Sequence, residues 1–321
     1  MTHYAVTRRA TLQFAAAALA VAAGRTRAGE TVRISYQRSS TLLTLIKQNG
    51  TLEKRLAPSG YEVSWHELNG NALLQALNAG SVDIHADVAD AYALFTQAAD
   101  APLTYIAKET SAPGAEAIVV PADSPIRKVA DLRSRRVTVL KGSGAHYLLL
   151  TALKQAGLST GDIDLRFLDQ QDGVSAYSTG AVDALAIWDP LLGVQLKDGR
   201  SRVLADGRGT GVEYGRYYTA TTPFAAAHPD ALRVVFDELQ ATGRWVKANP
   251  QEAAQRLAPL WGNLPPDVVE QVNGRRSYAI VPVQRGELGE LQRIADSFRE
   301  AGLITRALKA TEIPIWSPEK A

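Results

Sequence analysis

The sequence predicts an α/β fold of two lobes, joined by two chain crossovers, with a cleft between them. Three observations predict it. From Val32 onward, short β-rich runs alternate with runs of helical spacing, the pattern of strands covered by helices. Two units recur in the same order. Val32–Gly50 and Val137–Gly157 each read strand, polar-small loop, helix with Lys-Gln near its end; NAGSVDIHAD (78–87) and STGAVDALAIWD (178–189) each read helix end, Gly, x-Val-Asp, strand. Finally, two extended stretches broken by Pro and Gly, 111–125 and 215–223, separate the regions that carry these units.

The elements follow in chain order. Val32–Tyr36 is a strand candidate, Leu42–Leu56 has helical spacing, Tyr61–Glu67 alternates with period two, Ala72–Ala79 is helical and Val82–Ala86 is the next strand. The alternation predicts mainly parallel strands. After the second extended stretch the chain turns helical over Pro229–Ala248, Pro250–Trp261, Pro266–Arg275 and Gly286–Gly302, with one strand candidate at Tyr278–Val281. That block is too poor in strands to make a third domain, so it is expected to pack back on the first lobe. The expected division is 29–115 plus 222–321 for lobe one and 116–221, with the hinge strands, for lobe two.

The first 28 residues stand outside this pattern. Arg8 and Arg9 precede an apolar run from Phe14 to Ala23, and small residues follow. This reads as a cleavable signal peptide, with cleavage after Ala28 or Ala23. The run is shorter than the roughly 20 residues that span a bilayer. Thr7-Arg8-Arg9 with Leu12 fits the twin-arginine route, and a basic start also fits the general one. A periplasmic location is expected.

Composition excludes several functions. The net charge of +2 over 321 residues and the absence of a Lys/Arg block argue against nucleic acid. No cysteine is present, which removes disulfides, thiol catalysis and cysteine metal sites. The five histidines lack metal-ligand spacing, so neither metal nor cofactor is expected.

Candidate binding residues sit where strands give way to helices. Gly142-Ser143-Gly144-Ala145-His146 joins an apolar strand to a leucine-rich helix. The first N–H groups of a helix have no internal partner and attract negative charge. Two readings are open: Ser143 caps the helix, or the turn holds an anion with donors from Ser143, Gly144, Ala145 and His146. Gln37 and Ser40 belong to the matching loop of lobe one, beside Arg38. Gly70 and Asn71 follow Asn69 in a turn before a helix, either a cap or a backbone approach point on the cleft rim. Asp87 and Asp90 end a strand, either as helix caps or as carboxylates facing a ligand cation. Trp188 and Asp189 precede Pro190, either as core and cap or as cleft lining. No G-x-S-x-G elbow supports a hydrolase, and no Gly-Lys-Ser/Thr closes a nucleotide loop.

Together, VRISYQRSS, LLQALNAGSVDI, AIVVPADSPIRKVADLRSRRVTVLKGSGAH, AIWDP and YYTATTPFA resemble, in order and spacing, the periplasmic substrate-binding proteins of ABC importers for aliphatic sulfonates. The wider group includes taurine, nitrate and thiamin-precursor binders. The resemblance implies the type II periplasmic binding protein fold and closure of the lobes on a small organic anion. It also implies delivery to an inner-membrane ABC permease, work as a monomer, and no catalysis; the fungal thiamin-pyrimidine synthase of similar fold depends on cysteines absent here. Gln37 and Ser40 from lobe one, and Ser143, Gly144, Ala145 and His146 from lobe two, would hold the sulfonate, with Trp188 and Asp189 lining the cleft. One stretch departs: HADVAD (85–90) replaces the Gly/Ser/Thr-rich turn of the sulfonate binders, with one extra residue. A carboxylate at Asp87 would suit a ligand that also carries a cation, such as taurine. A sensory binding protein, or capture of another organic anion, is the alternative reading.

Overall fold

The structure, a computed structural model, describes residues 29–37, 39–68 and 70–320. The expected signal peptide, with Arg38 and Asn69, lies outside the described residues.

Helices of seven or more residues are numbered here. The first lobe begins with β1 (Glu30–Tyr36), α1 (Thr41–Asn49), β2 (Tyr61–Glu67), α2 (Gly70–Asn78), β3 (Ile84–Ala89), α3 (Asp90–Ala98) and β4 (Leu103–Glu109). The chain then crosses. β5 (Glu116–Pro121), β6 (Arg136–Val139), α4 (Gly144–Gln155), β7 (Asp164–Phe167), α5 (Gln170–Ser178), β8 (Ala184–Trp188), α6 (Leu191–Lys197) and β9 (Ser201–Asp206) build the second lobe. It returns through β10 (Arg216–Thr221) and ends with α7 (Pro229–Ala248), α8 (Pro250–Leu257), α9 (Pro266–Arg275), β11 (Ile280–Val281) and α10 (Gly289–Glu300). Prolines at the start of α7, α8 and α9 remove N–H groups that would lack partners anyway, which sharpens those boundaries.

The strands form two sheets, ordered β11-β4-β10-β3-β1-β2 and β7-β6-β8-β5-β9. Crossing occurs twice, between β4 and β5 and between β9 and β10. Two sequence expectations need correction. The stretch 215–223 is not a link between lobes but carries an interior strand: β10 lies antiparallel between β3 and β4. By sheet membership the return boundary falls before Arg216, not after Thr221. Every residue of β10 is buried, and buried backbone groups need ladder partners on both sides. The sheets are also more mixed than expected. The pairs among β1, β2 and β3 and among β6, β7 and β8 are parallel. Those made by β5, β10 and β11 are antiparallel, and β5 and β10 are the strands by which the chain enters each sheet from the other lobe.

The internal repeat holds in detail. Gly80 (φ 63°) and Gly180 (φ 73°) end α2 and α5 in the left-handed conformation. In each unit an Arg wraps the following Asp: the Arg33 and Arg136 backbone N–H groups donate to Asp83 and Asp183 Oδ2, both at 2.8 Å. The last helix does not stay with the first lobe alone. Phe298 of α10 is fully buried and meets Phe95 of α3 and Tyr147 of α4, edge to face, at 6.4 Å each. It therefore packs on both lobes behind the cleft.

Candidate anion-binding site

The strand ends and crossing segments of the two sheets meet at a small pocket of about 50 Å³. Gln37, Ala89 and Arg216 reach it from the first sheet, and Ser143, Gly144 and Trp188 from the second; Tyr214 of the returning segment closes it. A wider cleft of about 800 Å³ shares Gln37, Leu140 and Trp188 with it and extends to Trp261 and Leu264. The inner space suits a compact head group, since a cavity of about 10–15 Å³ already holds one water. The outer space suits a tail.

The loop before α4 is built by its own side chains. Ser143 Oγ accepts the His146 N–H at 3.2 Å and donates to the Leu140 carbonyl at 2.7 Å. Its hydroxyl is therefore the helix cap, with no proton left for a ligand. The Ser143 N–H is also used, by the Leu140 carbonyl at 3.3 Å. His146 is 1% exposed, and its Nδ1 accepts the Gly142 N–H at 3.1 Å. Burial, and secondarily the charge of Lys141, lower its pKa to about 4. Among the described residues the N–H groups of Gly144 and Ala145 are left without a partner. They stand at the positive end of a 12-residue helix.

Gly144 has to be glycine. A Cβ there would lie 2.7 Å from Glu116 Oε2 and 2.9 Å from the Tyr214 ring. Glu116 is fully buried and neither carboxyl oxygen has a partner. Burial first, then the charges of Asp90 and Glu290, push its pKa well above the usual carboxylate range. Burial thus favours its neutral form, which adds no repulsion toward an anion.

Other expected contacts resolve differently. Ser40 is fully buried, and its Oγ accepts the Gln37 N–H at 3.1 Å. It shapes the loop that presents Gln37 rather than facing the pocket. Asp87 is fully buried between two guanidinium groups, Arg216 Nε at 3.3 Å and Arg276 Nη2 at 3.2 Å. The carboxylate expected to meet a ligand cation already has its cations. Asp189 is 8% exposed; Arg275 Nε and Nη2 donate to its two oxygens at 2.7 Å each, and the Gly193 N–H adds 3.1 Å. It is an anchor between β8 and α9, not cleft lining. Gly70 and Asn71 begin α2, where Ala72 borders the wider cleft; their side chains are outside the description. Of the residues singled out from sequence, Gln37, Ser143, Gly144 and Trp188 line the small pocket together. Arg216 and Tyr214 were not foreseen: Arg216 lies in an extended stretch that reads as a hinge strand, and its position depends on where β10 inserts.

The chain is similar in sequence and in fold to known proteins. Residues 59–253 match the family described as NMT1/THI5 like. The periplasmic aliphatic sulphonate binding protein SsuA from Escherichia coli is 36% identical, with a TM-score of 0.81 over 90% of this chain and 92% of that one. The alkanesulfonate-binding protein SsuA from Xanthomonas axonopodis pv. citri, solved bound to MOPS, is 34% identical, with a TM-score of 0.81 over 89% of this chain and 98% of that one. A taurine-binding periplasmic protein of Escherichia coli (strain K12) is 28% identical over 268 residues, 80% of this chain and 81% of that protein. The two-lobed fold and the sequence both place the chain: it belongs to the NMT1/THI5-like family, beside the periplasmic sulfonate-binding proteins.

Proposed function

We propose that the protein captures aliphatic sulfonates outside the cytoplasm, without chemistry, by closing its lobes on the anion. The observation that carries this reading is the pair of unpartnered amides, Gly144 and Ala145, at the start of α4, with Gly144 and Gln37 lining the small pocket between the sheets. Hydrogen bonds to a charged group contribute about 1.5–3 kcal/mol each. Two amides, a glutamine and a guanidinium, less ordering and desolvation costs, support an affinity near micromolar, about 8 kcal/mol. A ligand that touches both lobes favours the closed arrangement by its differential contacts. The tail would lie in the wider cleft, along Trp188 and Trp261.

In this reading residues 1–28 direct export, by the twin-arginine or the general route, and the loaded monomer delivers its ligand to an ABC permease of the inner membrane. The resemblance supports these steps, and relatives described as periplasmic binding proteins support the location. The functional lobes are 29–115 with 216–321, and 116–215, so that β10 brings its pocket residues from the first lobe.

A thermal-shift and calorimetric panel tests the reading: alkanesulfonates of increasing length, taurine, nitrate, sulfate and amino acids. Binding at a hundredfold excess over Kd stabilises the folded state by about 2.7 kcal/mol, so sulfonates should raise the melting temperature clearly. No response to any sulfonate would overturn it.

A further inference from the structure

The first lobe offers its anion donor in an unexpected form. The stretch HADVAD leaves no turn of free amides after β3, because strand runs directly into helix at Ala89–Asp90. The Asp90 N–H is taken by the Gly215 carbonyl at 2.9 Å. Asp90 in turn accepts the N–H groups of Ala91 and Gly215 at 2.7 and 2.8 Å. The Asp90 and Ala91 N–H groups at this strand end are therefore both taken within the protein.

A guanidinium stands in their place. Arg216 is 7% exposed yet lines the inner pocket. Its Nη2 donates to the Asp87 carbonyl at 2.8 Å, and Nε to Asp87 Oδ2 at 3.3 Å. Its Nη1 donates to Tyr214 Oη at 3.0 Å. Nη1 carries two hydrogens, so one has no partner among the described residues. Asp87 is itself fixed by Arg276, which Glu109 holds from the other side. The four groups balance formally, two positive and two negative, so the guanidinium is tolerated in a buried place and cannot swing. Tyr214 links the two halves of the pocket. Its ring lies against Gly144, its hydroxyl on Arg216, and its backbone sits at φ 49°. A tyrosine held in the left-handed region costs energy, and such strain concentrates where a site is being shaped.

We propose that Arg216 is the cationic donor of the anion site. Its Nη1 meets the bound oxyanion from the first lobe while the Gly144 and Ala145 amides meet it from the second, and Asp87 aims the guanidinium instead of touching the ligand. This rests on the anion-binding reading of the pocket. A lysine would not substitute: its point charge lacks the fork that lets one edge bind Asp87 while the other faces the ligand.

The test is calorimetric titration with butane-1-sulfonate. Wild type is compared with Arg216→Lys and with the double variant Arg216→Gln/Asp87→Asn, which removes opposite charges together. The expected result is binding by wild type and a loss of roughly ten- to hundredfold in both variants. Undiminished affinity in the double variant overturns the assignment of Arg216 and leaves the pocket standing. No binding by wild type overturns the anion reading, and this assignment with it. A co-crystal structure of the wild-type protein with butane-1-sulfonate decides the matter independently of how the variants fold. A sulfonate oxygen within hydrogen-bond reach of Nη1 supports the proposal; a sulfonate held by second-lobe groups alone sinks it.

Discussion

His146 turns its ring back onto its own loop, where Nδ1 accepts the Gly142 N–H at 3.1 Å. An accepting ring nitrogen carries no proton, so the imidazole is neutral. Burial against Phe167 and Phe298 keeps it so down to about pH 4. Its charge therefore does not change where free histidines titrate, and His146 should contribute no step to sulfonate affinity near pH 6.5. Calorimetry at about pH 5 and about pH 8 is expected to give the same ratio of dissociation constants for wild type and His146→Gln, since any change across that range comes from Asp90. A gain on acidification that His146→Gln loses would mean that an imidazolium donates to the ligand.

Gly144→Ala should abolish measurable sulfonate binding and lower the melting temperature. The new methyl would press on Glu116 Oε2 and the Tyr214 ring, inside van der Waals contact. Both are buried, so the helix start must shift, and its free amides with it. Gly180→Ala is the control. Its glycine has φ 73° with nothing within 4 Å of the added carbon, so it should cost about 1 kcal/mol and leave affinity unchanged.

Asp189 and Arg275 join the two lobes. The carboxylate follows β8, and the guanidinium ends α9, whose Val268, Val269 and Val272 are buried in the first-lobe core. Arg275→Met would leave a buried carboxylate with only the Gly193 N–H. A destabilisation of about 3 kcal/mol is expected, read by denaturant unfolding. Adding Asp189→Asn should restore part of it. No loss in the single variant would show that the pair contributes nothing to holding the lobes.

How much of this was legible in the sequence depends on the range over which each interaction acts. The Arg33–Asp83 and Arg136–Asp183 units were visible as a repeat because strand, helix and Gly-x-Val-Asp lie in local order. The amides of Gly144 and Ala145 were visible for the same reason: a helix start exposes N–H groups whatever surrounds it. Ser143 and Asp189 were ambiguous because a cap and a ligand contact use the same residue types. Asp87 was misread because its partner Arg216 is 129 positions away and arrives through β10. No local pattern states that β10 inserts between β3 and β4.

Asp87→Asn should weaken taurine and ethanesulfonate by the same factor. Asp87 faces Arg216 and Arg276, so its removal loosens the guanidinium that both ligands would share. A loss confined to taurine would show instead that Asp87 meets the ammonium group. Parallel titrations of the two ligands decide this, because they differ in the amine and not in the sulfonate.

Asp90 gives the pH dependence of stability a sign. It is buried at the start of α3, beside the returning segment, with Glu213, Glu290 and Glu116 as acidic neighbours. Burial, more than those charges, raises its pKa to about 7, although two backbone N–H groups oppose the shift. As pH rises from about 4 to about 7, the unfolded chain releases this proton first, so the unfolded state binds fewer protons and stability falls. His146 acts oppositely. Its folded pKa of about 4 lies below the unfolded value, so its contribution is lost as pH falls from about 6.5 through about 4. The two slopes oppose each other in the wild-type protein. Asp90→Asn removes one of them, and its stability relative to wild type should rise with pH by on the order of 3 kcal/mol between about pH 4.5 and pH 7. Urea unfolding of both proteins at the two pH values measures the difference. A constant difference would mean that Asp90 is already ionised in the folded protein, and that the acidic surroundings of the returning segment are better solvated than their burial implies.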